Sequence, residues 1–173
     1  MPNWCFNSLT VHGPARELRA FMEAAACPAT DESPAQPFSA QALRPMPEET
    51  ALRNYDAPNG GYQWELKYWG CKWGISDAEL RLELANLALF TFDTAWSPPT
   101  ELIRFVAAAH PELTFTLTYE EGGNGFQGFR MFRAQHHLGG CDEEYTNYLD
   151  EEEDEPETGE GGAGAESSSA SED

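Results

Sequence analysis

A chain of 173 residues suffices for one domain with a real core. Its formal charge of −20 is uneven: residues 142–173 hold 14 Asp and Glu and no Lys or Arg, leaving 30 − 14 = 16 acids against 10 basic residues, a net of −6. This balance speaks against non-specific binding to nucleic acid or anionic membranes, and no apolar run approaches the ~20 residues that span a bilayer.

The cysteines, Cys5, Cys27, Cys71 and Cys141, are spaced by 22, 44 and 70 residues, which fits no zinc or redox motif. Met1-Pro2-Asn3-Trp4 lacks the basic and apolar regions of a signal peptide. The expectation is a cytoplasmic protein with free thiols.

In chain order, Trp4 to His12 alternates as a strand. Gly13-Pro14 opens a helix with Leu18, Phe21, Met22 and Ala25 on one buried face. Residues 27–75 form an insertion broken by Pro28, Pro34, Pro37, Pro45, Pro47 and Pro58. Within it, Phe38 to Leu43 reads as a short edge strand and Tyr62 to Trp69 as a short helix, with Trp64 and Tyr68 at i, i+4. Glu79 to Ala85 is a strand with Leu80, Leu82 and Leu84 on one side, and Ala88 to Thr94 pairs back antiparallel. Ser97 is the candidate N-cap of a second helix that buries Leu102, Phe105, Val106 and Ala109. Leu113 to Tyr119 is the clearest strand, Gly122 to Gly125 a turn, and Phe126 to Gln135 the last strand.

Pro14, Leu18, Phe21, Met22 and Ala25 recur 84 positions later as Pro98, Leu102, Phe105, Val106 and Ala109. Two strand–helix halves around one sheet predict an α+β, ferredoxin-like β-α-β-β-α-β domain over residues 1–141, with the Trp-rich insertion between the first helix and the second core strand. Both helices are expected on one sheet face. Residues 142–173 read as an acidic low-complexity tail, disordered from about Asp150, with Tyr145, Tyr148 and Leu149 able to dock back.

Several short motifs carry a family likeness: Pro2-Asn3-Trp4-Cys5 with Asn7, Pro45-Met46-Pro47-Glu48, Trp69-Gly70-Cys71-Lys72-Trp73, Thr94-Ala95-Trp96-Ser97-Pro98-Pro99, Tyr119-Glu120, and Phe126 to Gly128. In order over residues 2–128, they make the chain resemble the YubB-type ferredoxin-like domain of bacteriophage and plasmid proteins. Cys71 stands where that pattern usually has Thr, and Gly74 where an acid or amide is usual. The resemblance implies the fold and a mobile-element origin, and no reaction.

Lys72 beside Trp69 and Trp73 fits a cation–π pocket or recognition surface, for which Asn3, Trp4, Trp69, Lys72, Trp73 and Trp96 are the candidates. The competing reading makes the tryptophans filler of a second core, where the insertion covers one sheet face as a third layer. Trp69 and Trp73 are then buried, with Lys72 at the rim. Asn3 and Asn7 are expected to satisfy backbone groups.

His136, His137 and Cys141, with Asp142 and Glu143, suggest a metal, but adjacent strand histidines face opposite ways, so no metal site is expected. Glu120 and Glu121 diverge likewise, and no nucleophile or phosphate motif is present, so neither catalytic residues nor cofactors are expected. Lys72 beside Cys71 raises the question of a lowered thiol pKa. Phe6, Phe90 and Phe92 would have to be exposed for RNA stacking. The favoured reading is a non-catalytic module binding a host or mobile-element protein. The alternative is a nucleic-acid-related role, as an acidic mimic of DNA or a single-strand binder; direct nucleic-acid binding is disfavoured by the acid excess.

Overall fold

The computed structural model describes residues 3–30 and 34–145. The sequence expectations for residues 1–2 and 146–173, including Tyr148, Leu149 and disorder from Asp150, lie outside the described residues.

Among the described residues the strands are β1 (Trp4–His12), β2 (Lys72–Leu84), β3 (Leu87–Ala95), β4 (Thr114–Glu121), β5 (Phe126–Arg133) and β6 (His136–Glu144). The helices are α1 (Ala15–Ala25), α2 (Ala40–Leu43), α3 (Glu48–Ala51), α4 (Gly61–Tyr68) and α5 (Thr100–Ala109). The strands form one sheet in the order β2-β3-β1-β4-β5-β6, with every neighbouring pair antiparallel. Its first four strands have the order that two crossovers from β1 and β3 produce in a β-α-β-β-α-β chain.

Period-2 alternation decides the faces. Cys5, Asn7, Leu9 and Val11 of β1 are buried beside Ala88, Phe90, Phe92 and Thr94 of β3 and Phe115, Leu117, Tyr119 and Glu121 of β4. Phe21 of α1 sits on this face, with ring centroids 6.2 Å from Phe90 and 5.2 Å from Phe115. Leu102, Ile103, Val106 and Ala107 of α5 join the same core, so both long helices cover one face.

The insertion adds to that core and forms no third layer. Phe38 is fully buried, 6.4 Å from Phe21 and 5.0 Å from Phe92. Phe38 to Leu43 is not a strand: the Ser39 hydroxyl accepts the Ala42 amide and caps α2. Trp64 and Tyr68 do meet across one helical turn, at 4.9 Å.

Other differences have local causes. β2 begins seven residues before Glu79, at Lys72, and an irregularity at Arg81 lets Leu80 pair with Phe90 but Leu82 with Leu89. This bulge turns Leu82 and Leu84 away from the core, and they are exposed. Ser97 is not the cap of α5; its hydroxyl donates to the Gly70 carbonyl at 2.8 Å, and Pro99 holds the cap position. The apolar stripe of α5 is rotated from the repeat's expectation, burying Ile103 and Ala107 and exposing Phe105 and Ala109. Phe105 lies 4.2 Å beneath the Arg44 guanidinium, whose carbon is also 4.5 Å from the Tyr68 ring.

β6 is a strand that the pattern did not announce. It runs past residue 141, so Asp142, Glu143 and Glu144 pair with β5. Asp142 accepts from Arg130 and from the Tyr119 hydroxyl. Gly128 stands between Tyr119 and Asp142 in register, where a Cβ would lie 2.8 Å from the Tyr119 hydroxyl.

Candidate recognition surface

One corner of the sheet gathers most of the motif residues. Ala95 at the end of β3 pairs with Trp4 of β1 on one side and Lys72 of β2 on the other. Trp96 and Trp73 each follow one residue of that row. Three strand ends therefore bring Trp4, Trp73 and Trp96 together around a single cross-strand row.

A buried polar chain fixes this corner from beneath. The Asn7 amide donates to the Cys5 carbonyl at 2.8 Å and to the Thr94 hydroxyl at 2.9 Å. Thr94 donates to the Ser97 carbonyl at 2.8 Å, and the Ser97 hydroxyl reaches Gly70. The motif positions Asn7, Thr94, Ser97 and Gly70 thus form one relay tying β1, β3 and the entry to β2. The backbone-satisfying role expected of Asn7 holds.

Trp69 is 5% exposed, and its indole Nε1 donates to the Arg44 carbonyl at 2.9 Å. Its own carbonyl accepts the Leu102 amide at 3.2 Å, within the first turn of α5. Trp69 is scaffold, as the core reading has it. Trp73 is not: it is 49% exposed. Its backbone has φ 64°, held by Glu65, whose Oε2 accepts the Trp73 amide at 2.9 Å. On that left-handed backbone the indole is exposed. Trp96 has φ 71° and is 44% exposed, and Trp4 is 47% exposed. The Trp96 amide donates to the Asn3 carbonyl at 2.9 Å, so Asn3 supports the corner through its backbone.

Lys72 is half-buried behind Trp73. Its Nζ lies 4.5 Å from the Trp73 ring centroid, 5.3 Å from Tyr62 and 5.8 Å from Tyr55. The Tyr55 hydroxyl donates to buried Glu65 at 2.5 Å; burial first, and Glu65 next, push that hydroxyl's pKa up. Tyr55 and Tyr62 as walls, and Glu65 as the anchor, escaped the sequence reading. The i, i+4 spacing of Gly61 and Glu65 on a short polar helix gives no burial signal.

Cys71 is fully buried, donates to the Gly74 carbonyl at 3.7 Å, and has its pKa raised by burial, contrary to a thiol activated by Lys72. Burial likewise pushes Cys5 up to about 12. All four cysteines are free. His136 and His137 are exposed on β6, and no group of three His, Cys, Asp or Glu with metal-holding geometry occurs among the described residues. Glu121 is buried and accepts the Gly123 and Asn124 amides at 2.7 Å, closing the β4–β5 turn, while Glu120 faces the other way. Phe90 and Phe92 are buried, so of the three phenylalanines considered for stacking only Phe6 is exposed. No helix among the described residues is long and apolar enough to cross a membrane.

An antiparallel sheet in this order, with helices on one face and the other uncovered among the described residues, defines an α+β domain of the ferredoxin-like class. The chain belongs to the Api92-like family: the model of the ferredoxin-like domain in Api92-like protein matches residues 69–160, just over half its length. The crystal structure of protein api92 from Yersinia pseudotuberculosis is similar with a TM-score of 0.61 at 10% identity, over 84% of this chain and 99% of that one. At that identity the likeness is one of fold. Among curated proteins no match is found.

Proposed function

We propose that the protein is a non-catalytic binding module that acts by protein–protein contacts through the tryptophan corner. Trp4, Trp73 and Trp96 make the contact, Lys72 and Asn3 hold it, and Trp69 supports it from the core. The observation that carries this reading is three indoles, each nearly half exposed, around one cross-strand row. Tryptophan is the residue most enriched where binding energy concentrates. Two of the three also sit on left-handed backbone, which costs about 1–3 kcal/mol and clusters at ligand clamps. The YubB-type likeness of the motifs belongs to the same reading, with a phage or plasmid origin, a cytoplasmic location and a host or mobile-element protein as partner.

The test compares the full chain with the triple variant Trp4→Ala, Trp73→Ala, Trp96→Ala in affinity capture from host lysate. The expected result is loss of a specific protein with the melting temperature kept within a few degrees. Retention of every captured protein by the variant refutes the reading. A chain ending at Tyr145 separates the acidic-mimic alternative, because that role needs residues 146–173 and the corner does not. The cut belongs there, since β6 reaches Glu144.

A further inference from the structure

We propose that the hollow on the bare face of the sheet, between Phe6 and Phe129, binds a lysine or arginine side chain presented by a basic segment of a partner protein. No tryptophan of the corner lines it, and the inference does not rest on that corner.

The hollow measures about 430 Å³ and is floored by β1, β4, β5 and β6. Phe6 is 53% exposed there, and Phe129, Thr118 and Cys141 add further wall. Its charged wall residues are Glu120 and Glu143, without a lysine or arginine. The sheet register makes this sign systematic: Phe6 stands directly between Asp93 of β3 and Glu120 of β4.

The two wall carboxylates hold only neutral donors. Glu120 accepts the Tyr145 hydroxyl at 3.0 Å, and Glu143 accepts the Gln127 amide at 3.2 Å. Among the described residues neither forms an ion pair, so their charge stays uncompensated. A long cationic side chain meets both demands of such a place. Its apolar stem lies on the phenylalanine rings, and its head donates a charge-assisted hydrogen bond to a carboxylate and rests over a ring face. Phosphate is repelled by the same groups, and a neutral ligand leaves them unanswered.

The test titrates the full chain into a labelled nonapeptide of alternating Lys and Leu and follows fluorescence anisotropy at moderate salt. The control peptide carries Gln for Lys. Saturable binding of the lysine peptide is expected, with about tenfold or greater weakening in Phe6→Ala and in Glu120→Gln with Glu143→Gln. Both changes are on exposed side chains, and an unchanged melting temperature checks folding. A variant with Gln at Glu151, Glu152, Glu153 and Glu155 separates the tail and is expected within about twofold of the parent. The proposal is overturned if the tail variant loses binding while the hollow variants keep it. Equal binding of the Gln peptide also overturns it.

Discussion

Trp69 and Trp73 lie four residues apart in one motif and play opposite parts. Trp69 fills the core and ties α2 to α5 through its indole and its carbonyl. Trp69→Ala is expected to cost ~3–5 kcal/mol in urea denaturation, as for other large core deletions. Trp73 spends its backbone in a conformation that glycine adopts freely. Trp73→Gly is therefore expected to stay within ~1 kcal/mol of the parent, the lost Lys72 contact being offset by relieved strain. A Trp73→Gly protein as unstable as Trp69→Ala would make the exposed indole scaffold after all. Asn7 poses the corresponding test for the buried relay. Asn7→Leu keeps the branched shape but leaves the Cys5 and Phe92 carbonyls without its amide, and should cost at least ~1–3 kcal/mol.

At the scale of elements, α5 and β6 each carry a polar group whose removal can be tested. His110 caps α5 through its amide, and its ring packs edge-on against Phe21 at 5.5 Å. Burial lowers its pKa, so the folded protein resists protonating it more than the unfolded chain does. The resulting stability is fully present above the ordinary histidine pKa of about 6.5 and is lost as pH falls from there through the lowered folded value. Melting temperature should thus drop as pH falls below about 6.5, and His110→Gln should flatten that slope. A slope unchanged in the variant would assign it to other groups. For β6, the anchor is Asp142, whose pKa is lowered by its bond to Arg130 and next by that to Tyr119. Gly128→Ala would bring a methyl within 2.4 Å of the Cys141 carbonyl and against both Tyr119 and Asp142. Amides of β6 should then exchange with solvent much faster while those of β1 keep their protection, because β6 is joined to the sheet through β5 alone.

For the whole molecule, the decisive fact is that helices and insertion share one face. The other face carries Phe6 between carboxylates, threonines such as Thr91, Thr116 and Thr118, and the outward Leu82 and Leu84. Exposed aromatics on a bare ferredoxin-like sheet are how some such domains hold RNA. Here the flanking acids oppose that use. A labelled oligo-dT or oligo-U should give no saturable anisotropy change at physiological salt, because a phosphate beside Phe6 would meet Asp93 and Glu120 instead of a cation. Saturable, salt-sensitive binding would restore the single-strand alternative.

The sequence by itself determined the sheet's four central strands, both long helices, and their placement on one face. These rest on period-2 and period-3.6 alternation, which a chain carries locally whatever it packs against. It also marked the corner, because three strand-end motifs held Trp4, Trp73 and Trp96 beside Asn7, Thr94 and Ser97. Which indole faces water was decided only by tertiary structure: the left-handed Trp73 amide donates to buried Glu65, which also accepts the hydroxyl of Tyr55, far from Trp73 in sequence. The rotation of α5 followed the same logic, since Phe105 answers to Arg44 of the insertion and not to its own helix period. β6 was hidden because its residues are mostly exposed and are largely polar or glycine, with no apolar alternation to betray them. An edge strand held by backbone pairing and one Arg130–Asp142 bridge leaves its reason for existing in the neighbouring strand.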